Sequence, residues 1–372
     1  MRRVVIFATA LVCLSPIGLA SAQDKKEEKV LGKTISEWIT ILRTHENERF
    51  RQAALKALEV GNEAHRSGRD ALIDALEKDK SVRVRREAVE VIGRIGPDDF
   101  KPGMKVLVKV LHEDKSDEVR EAAALVIASD RFKVPAQQYV SDLADALKDP
   151  HVGTRIAIAG ALRTLGERAS PAFPTLFTAA KNPKEALQVR IAAVQTLARH
   201  AKGDPMTLPM LLDLAGPENP AGLREVAIDG LGRNGSDSEA IPTLLAKGLE
   251  EKNLELRKAS AVALSMLGER AKPAWPAIKE HVADKKEDSA IRNHLIRVAG
   301  TLGKTNAEAI ASLTAAAKAD ESTENRIAAI QELGALGTLA KTAAASLTEI
   351  AAQDPRAAVR EAATKAVKQI NP

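Results

Sequence analysis

An arginine that returns at a nearly constant interval constrains this chain more than any other feature. The interval stays between 33 and 35 residues over almost the whole length of 372 residues. The recurring residues are Arg51, Arg85, Arg120, Arg155, Arg190, Arg224, Arg257, Arg292, Arg326 and Arg360. A fixed period of this length is typical of stacked repeats, in which each repeat is one supersecondary unit packed against its neighbours.

The residues around each arginine indicate helices. Apolar residues recur three, six and seven positions after it, as with Ala123, Val126 and Ile127, and this is helical spacing. Aromatic residues make up only 2% of the chain, which does not suit a sheet. We therefore predict an all-α superhelix, an alpha solenoid of about ten helix pairs, right-handed, with the arginine in the second helix of each pair.

Glycines are expected to end many of the second helices, because glycine readily adopts the left-handed conformation found just after a helix. The predicted positions are Gly96, Gly166, Gly235, Gly268 and Gly337.

The first 22 residues have the pattern of a secretory signal peptide. Arg2 and Arg3 precede an apolar run, and small residues around Ala22 suit cleavage before Gln23. We predict a signal peptide at 1–22, a charged linker at 23–33 and the solenoid at 34–372. Cleavage removes the only cysteine, Cys13, so disulfide and cysteine chemistry are not expected. The apolar run is too short for a transmembrane helix, and we expect a periplasmic or secreted protein.

The charge balance gives no sign of a nucleic-acid surface. Loss of Arg2 and Arg3 leaves 53 basic residues against 50 acidic ones. The two signs alternate along the chain without a long block, which is typical of a solvated helical surface. Nucleic acid is therefore not an expected partner.

With these features the chain resembles HEAT-repeat proteins, in particular the bacterial type found in phycobilisome-lyase-like proteins, over roughly residues 34–370. The resemblance implies that an acidic residue six positions before the arginine takes part with it in a hydrogen-bonded ladder along the stack. The spacing is met by Asp79 with Arg85, Asp114 with Arg120, Asp149 with Arg155, Asp320 with Arg326, and Asp354 with Arg360.

Two repeats depart from that spacing, and two match it loosely. Lys184 and Lys286 stand where the acid should precede Arg190 and Arg292, so the ladder is not expected to be regular there. Glu218 before Arg224 and Glu251 before Arg257 are the looser matches. We interpret the arginine column as structural, because an acidic partner recurs with it and the surface carries little excess charge.

Catalytic motifs are missing from the sequence. There is no His-Glu-x-x-His, Gly-x-Ser-x-Gly or Cys-x-x-Cys sequence. His45-Glu46 and His112-Glu113 resemble the iron-binding dipeptides of a HEAT-repeat hydroxylase, but two pairs supply too few ligands for a di-iron site. We predict no enzyme activity, no cofactor and no metal.

The remaining candidate is an apolar patch on the second helices. Positions one and five after each arginine are expected to face outwards on the concave side, and most are polar. Leu125, Ile156 and Ile191 are apolar and fall on adjacent repeats. We predict that they bind an unidentified protein or peptide; the alternative is burial by the twist of the superhelix.

The sequence thus favours a non-catalytic interaction scaffold outside the cytoplasm. An enzyme or lyase-type subunit built on the same repeats, and a binder of an anionic surface polymer, are the alternatives.

Overall fold

A computed structural model describes residues 29–60, 62–200, 203–234 and 236–371. Its first element is a short antiparallel hairpin of β1 (Lys29–Val30) and β2 (Lys33–Thr34). The indole Nε1 of Trp38 donates a hydrogen bond to the carbonyl oxygen of Val30 at 2.7 Å. The end of the stretch that we assigned to a linker is therefore packed onto the first helix, and the predicted signal peptide lies outside the described residues.

Ten helix pairs follow, and the predicted all-α superhelix is confirmed. The first helices are α1 (Ile35–Thr44), α3 (Asn62–Lys78), α5 (Gly103–Glu113), α7 and α8 (Lys133–Ala136 and Val140–Ala146), α10 (Phe173–Lys181), α12 (Thr207–Leu214), α14 (Ala240–Leu249), α16 (Trp275–Ala283), α18 (Ala307–Ala319) and α20 (Ala344–Gln353). The second helices are α2 (Glu48–Leu58), α4 (Val82–Ile95), α6 (Asp117–Ile127), α9 (Val152–Leu165), α11 (Leu187–His200), α13 (Ala221–Asn234), α15 (Leu254–Leu267), α17 (Ser289–Leu302), α19 (Thr323–Leu336) and α21 (Ala357–Ile370).

Short 3₁₀ segments connect several of the pairs. They are Asp130–Phe132, Gln137–Tyr139, Gly166–Ala172, Gly268–Ala274 and Gly337–Ala343.

Glycine ends four second helices in the predicted way. Gly96, Gly166, Gly268 and Gly337 have φ angles of 85°, 68°, 59° and 56°, a region that side chains with a Cβ atom rarely enter. Gly235 lies outside the described residues. The chain can therefore turn sharply from each of these second helices into the next repeat.

Second helices of successive repeats pack closely because small residues stand at the crossing points. A Cβ atom added to Gly93 of α4 would come within 2.8 Å of Val126 in α6, and one added to Gly232 of α13 within 2.8 Å of the Ala263 backbone in α15. Ala123 and Ile127 are buried as expected, whereas Val126 is only half-buried. The apolar interior runs through the stack without a break.

First helices of successive repeats pack less closely against one another than the second helices do, and gaps open between them. Cavities of about 560, 620 and 380 Å³ open between α8 and α10, between α12 and α14, and between α16 and α18. A stack that is tight in one layer and open in the other curves towards the tight layer. The second helices therefore form the inner, concave face.

Most arginines of the column join two repeats. Arg85 donates from Nε and Nη2 to the two carboxylate oxygens of Asp114 in the next repeat, at 2.7 and 2.8 Å. Its Nη1 donates to the backbone carbonyl of Asp79 at 2.9 Å. The expected partner, six residues before, thus supplies its carbonyl oxygen, while the carboxylate of Asp79 binds Arg51 of the preceding repeat at 2.7 Å.

The same arrangement runs along most of the stack. The arginine–carboxylate pairs are Arg51–Asp79, Arg85–Asp114, Arg120–Asp149, Arg155–Glu185, Arg224–Glu251, Arg257–Glu287, Arg292–Asp320 and Arg326–Asp354. Arg360 of the last pair donates to the carbonyl oxygens of Asp354 and Pro355.

In the two irregular repeats an acidic residue at a different position completes the ladder. Glu185 and Glu287 lie five positions before Arg190 and Arg292, and they bind Arg155 and Arg257 of the preceding repeats. The lysines that stand six positions before these arginines do not interrupt the ladder, but it is irregular at these turns, as expected, because the acid is a glutamate five positions before the arginine. Their turns, 182–186 and 284–288, have five residues instead of three, which moves the acid by one position.

The ladder is interrupted elsewhere, at Arg190. Its Nε donates to the carbonyl oxygen of Ala180 at 3.0 Å, and no carboxylate of the described residues lies within 4 Å of its guanidinium. Glu218, the matching acid in the next turn, is exposed and lies beside the Asn219 side chain. The sequence match of Glu218 with Arg224 therefore forms no contact, and the junction between repeats five and six has no ladder ion pair.

Candidate functional site

A groove on the concave face lies between α4 and α6. It has a volume of about 860 Å³, and its walls include Arg86, Glu90, Arg94, Glu121 and Leu125. The Leu125 side chain is 57% exposed. The groove therefore presents an aliphatic side chain to solvent inside a charged rim, which is the composition of a small protein-binding site.

Most of the charges around this groove are already paired. The Arg94 guanidinium contacts the carboxylates of Glu59, Glu87 and Glu90, the nearest at 2.7 Å. Arg86 contacts Glu90 at 3.2 Å. A ligand that enters here would meet few uncompensated charges on the α4 side.

The α6 side of the groove is less compensated. The carboxylate of Glu121 folds over Gly153, at the start of α9, and lies 3.7 Å from Nδ1 of His151. Arg131, which follows α6, is exposed and donates to the carbonyl oxygen of Arg94. It contacts no carboxylate of the described residues within 4 Å.

The other two residues of the predicted patch differ from Leu125. Ile156 and Ile191 are half-buried and pack against the core. The Cδ1 atom of Ile191 would lie 3.5 Å from a Cβ atom added to Gly222 in α13. A Cβ atom added to Gly160 would meet no atom within 4 Å, so the surface beside Ile156 is open. Leu125 projects into solvent, whereas the two isoleucines form a shallow apolar floor.

His200, at the end of α11, adds no positive charge to this surface at neutral pH. Its Nε2 atom is buried and has no hydrogen-bond partner. Burial lowers the pKa of its imidazole below the usual range, which keeps the ring neutral. Among the described residues, the exposed arginines are therefore the cations of this part of the face.

A metal or cofactor site is not visible in the described residues. No group of three or more His, Cys, Asp or Glu side chains is placed to hold a metal ion. The ring of His45 stacks on Phe50 with centroids 4.3 Å apart, and its Nδ1 accepts from the Asn47 backbone N–H. The His45-Glu46 dipeptide thus serves the first inter-helix turn. None of the described helices is both long and apolar enough to cross a membrane.

Comparison with known proteins agrees with this architecture. The sequence profile of the family described as HEAT repeats matches residues 35–105, 104–187, 159–232 and 280–368, more than half of the chain. No curated protein matches the chain significantly.

Two solved structures share the fold at low sequence identity. One is an engineered protein solved by a structural genomics consortium, with a TM-score of 0.57 and 19% identity over 91% of this chain and 99% of that one. The other is importin beta, with a TM-score of 0.50 and 15% identity over 91% of this chain and 57% of that one. At these identities the likeness extends to the fold alone.

Proposed function

Since the chain belongs to the HEAT-repeat proteins, we propose that it is a non-catalytic interaction scaffold that works outside the cytoplasm and binds a protein or peptide on its concave face. A fold of this kind suits many functions, so the residues on the surface decide the function. The ligand binds in the groove that contains Leu125.

The observation that carries the proposal is the exposed leucine in a concave, preformed groove. A volume of about 860 Å³ falls within the range of roughly 300–1,000 Å³ of ligand pockets. On the neighbouring helix α9 the surface at Gly160 is open, so an extended ligand has room along the second helices. Aliphatic side chains held in such grooves are common anchors for peptide segments.

The export part of the proposal is supported by the basic and apolar pattern of residues 1–22. Fusion of residues 1–30 to a reporter enzyme that is active only outside the cytoplasm tests it. We expect an active reporter and a loss of activity when Arg2 and Arg3 are replaced together with Val5 and Ile6 by Asp. Equal reporter activity in both fusions would count against export.

The binding part is tested with a photo-crosslinking amino acid at position 125. The matched control carries the same residue at Leu339, which is also exposed (56%) but lies in the 3₁₀ segment Gly337–Ala343. We expect a defined crosslinked species from position 125 and none from position 339. The same species from both positions, or none from either, would contradict a site at Leu125.

An enzyme or lyase-type subunit remains the alternative from a different class. It predicts that the purified protein retains a metal or chromophore in stoichiometric amount. Elemental analysis and an absorption spectrum of the purified chain distinguish it from the scaffold, which needs neither.

A further inference from the structure

Two neighbouring second helices of the concave face carry no acidic residue. α9 and α11 contain only Arg163 and Arg199 as charged residues besides the ladder arginines. By contrast α4, α6 and α13 each contain two or three acidic residues. α17 also lacks an acidic residue, but α9 and α11 are adjacent, so the second helices of repeats four and five together form an acid-free part of the concave face.

The two arginines are exposed and uncompensated. Nη1 of Arg163 donates to Oε1 of Gln195, in α11, at 3.4 Å. In the described part of the chain, no carboxylate lies within 4 Å of Arg163 or Arg199, whereas Arg94 and Arg233 each contact at least one. Arg131 of repeat three is likewise exposed, and no carboxylate of the described residues lies within 4 Å of it. The three cations follow one edge of the concave face, at the ends of successive second helices.

An apolar strip runs beside these cations. Its members are Leu125, Ile156, Gly160 and Ile191 on α6, α9 and α11. Positions one, five and eight or nine after the ladder arginine share one face of a helix. The strip, Arg163 and Arg199 therefore belong to the same surface, with these two arginines towards the helix C-termini. Arg131 lies beyond the end of α6 and lines the same groove as Leu125.

We propose that this surface binds an extended acidic segment of a partner protein, whose aliphatic or aromatic side chains lie on the strip and whose carboxylates pair with Arg131, Arg163 and Arg199. This rests on the proposed scaffold function and names the chemistry of its partner. Packed helices lie about 8–10 Å apart, so three of them span about 20 Å. An extended segment of about six to eight residues covers this distance.

Uncompensated arginines favour such a partner for a physical reason. Their guanidinium groups can form two parallel hydrogen bonds to one carboxylate, and complementary charge at the edge of an interface speeds association and excludes partners of the wrong sign. Glu167, which follows α9, lies close enough to His200 to act on it together with Arg163 and Arg199. One glutamate beside three arginines leaves the net charge of this edge positive.

The test starts from a library of random twelve-residue peptides selected on residues 23–372, which contain every helix described above. We expect selected peptides to combine Asp or Glu with aliphatic or aromatic residues. The strongest peptide and its matched amide version, with Asp→Asn and Glu→Gln, are then measured by fluorescence anisotropy. We expect the amide version to bind about tenfold more weakly, or worse.

Charge reversal in the protein supplies the second arm. Arg163→Glu with Arg199→Glu should weaken the acidic peptide by about tenfold or more and remove most of its salt dependence. The control is Lys105→Glu with Lys247→Glu, two exposed lysines on first helices, which changes the net charge equally. It should leave the affinity within about twofold. Thermal unfolding followed by circular dichroism confirms that both variants fold.

The outcomes separate the two proposals. Selected peptides without an acidic excess, or an affinity that the Arg163 and Arg199 reversal does not change, would overturn the acidic partner and leave the scaffold function standing. A library that yields no binding peptide would overturn both. Binding of dextran sulfate that Leu125→Gln does not affect, and that displaces the peptide, would assign the arginines to a polyanion instead.

Discussion

Two junctions of the same stack differ in how their arginine is held. Between repeats eight and nine, Arg292 donates from Nε and Nη2 to both carboxylate oxygens of Asp320, at 2.9 and 3.0 Å. Between repeats five and six, Arg190 is equally inaccessible, 7% exposed against 4% for Arg292, but it reaches no carboxylate of the described residues. We call the first junction a closed step, in which the arginine binds a carboxylate of the next repeat, and the second an open step, in which it does not.

The local bonding of the acidic residue in the inter-helix turn explains the difference. Three residues, 320–322, separate α18 from α19, and the Oδ1 atom of Asp320 also accepts from the Ser322 backbone N–H at 2.8 Å. This local bond fixes the carboxylate towards Arg292. Six residues, 215–220, separate α12 from α13, and Glu218 there folds back over Gly216. No backbone N–H of the described residues donates to Glu218, and the contact between repeats is lost with this local bond. The five-residue turns 182–186 and 284–288 keep the contact, because the backbone N–H groups of Ala186 and Asp288 donate to Glu185 and Glu287.

The largest expected effect is loss of the acid at the closed step. Asp320→Ala leaves the buried Arg292 guanidinium without a carboxylate, and breaking one partner of a buried pair costs about 3–5 kcal/mol. Glu218→Ala at the open step should change the free energy of unfolding by less than about 0.5 kcal/mol. Urea unfolding followed by circular dichroism measures both. Similar losses would mean that Glu218 contacts Arg190 in solution.

Replacement of the arginine tests the same contrast from the other side. Arg292→Met leaves Asp320 buried without its cation, and we expect a loss of about 3 kcal/mol. Arg190→Met removes one hydrogen bond to Ala180 and no ion pair, so we expect a change within about 1 kcal/mol. A loss at Arg190 as large as that at Arg292 would reveal a partner at the open step.

The closed steps should also make the protein sensitive to acid. Burial raises the pKa of Asp320, but hydrogen bonds from Arg292 and the Ser322 N–H outweigh it, so the pKa lies below its usual value. The pKa of Asp149, which Arg120 binds, is lowered in the same way. A carboxyl group with a lowered folded pKa stabilises the fold above its unfolded pKa, about 3.9, and loses this contribution as the pH falls through the folded value.

We therefore expect the free energy of unfolding to fall as the pH drops below about 4. Asp149→Asn should reduce that dependence. Urea titrations at a series of pH values measure the slopes. Equal slopes for the wild type and Asp149→Asn would contradict the ion-pair origin of the effect.

A smaller effect of opposite sign is expected at Glu332 in α19. Burial raises the pKa of its carboxyl group, and the Arg297 charge offsets this only in part. The ionised form is thus slightly unfavourable in the folded state, and Glu332→Gln should stabilise the protein by less than about 1 kcal/mol at pH 7. Thermal unfolding at pH 7 and pH 3 checks the sign, because the gain should vanish at the lower pH. A gain that persists at pH 3 would indicate a change of packing.

The surface proposed to bind a partner was predicted from the sequence in outline only. The sequence placed Leu125, Ile156 and Ile191 on one face by helical spacing, but their exposure depends on how far each helix turns against the next repeat. The role proposed for Arg163 and Arg199 could have been inferred from the lack of acidic residues in their helices. The sequence does not show that these two arginines lack a carboxylate partner. A similar arginine, Arg94, is neutralised by an acid of another repeat, Glu59.

The period of the arginine by itself determined the all-α superhelix and its ten helix pairs, because a residue repeated at one helical position must stack upon its own copies. Glycine determined where several second helices end, since the left-handed conformation is a local property of the backbone. The partners of the arginines were decided only by the tertiary structure. A carboxylate 28 or 29 residues away, as for Arg292 and Arg85, is brought close by packing between repeats. Whether it arrives depends on the local bonding of a turn.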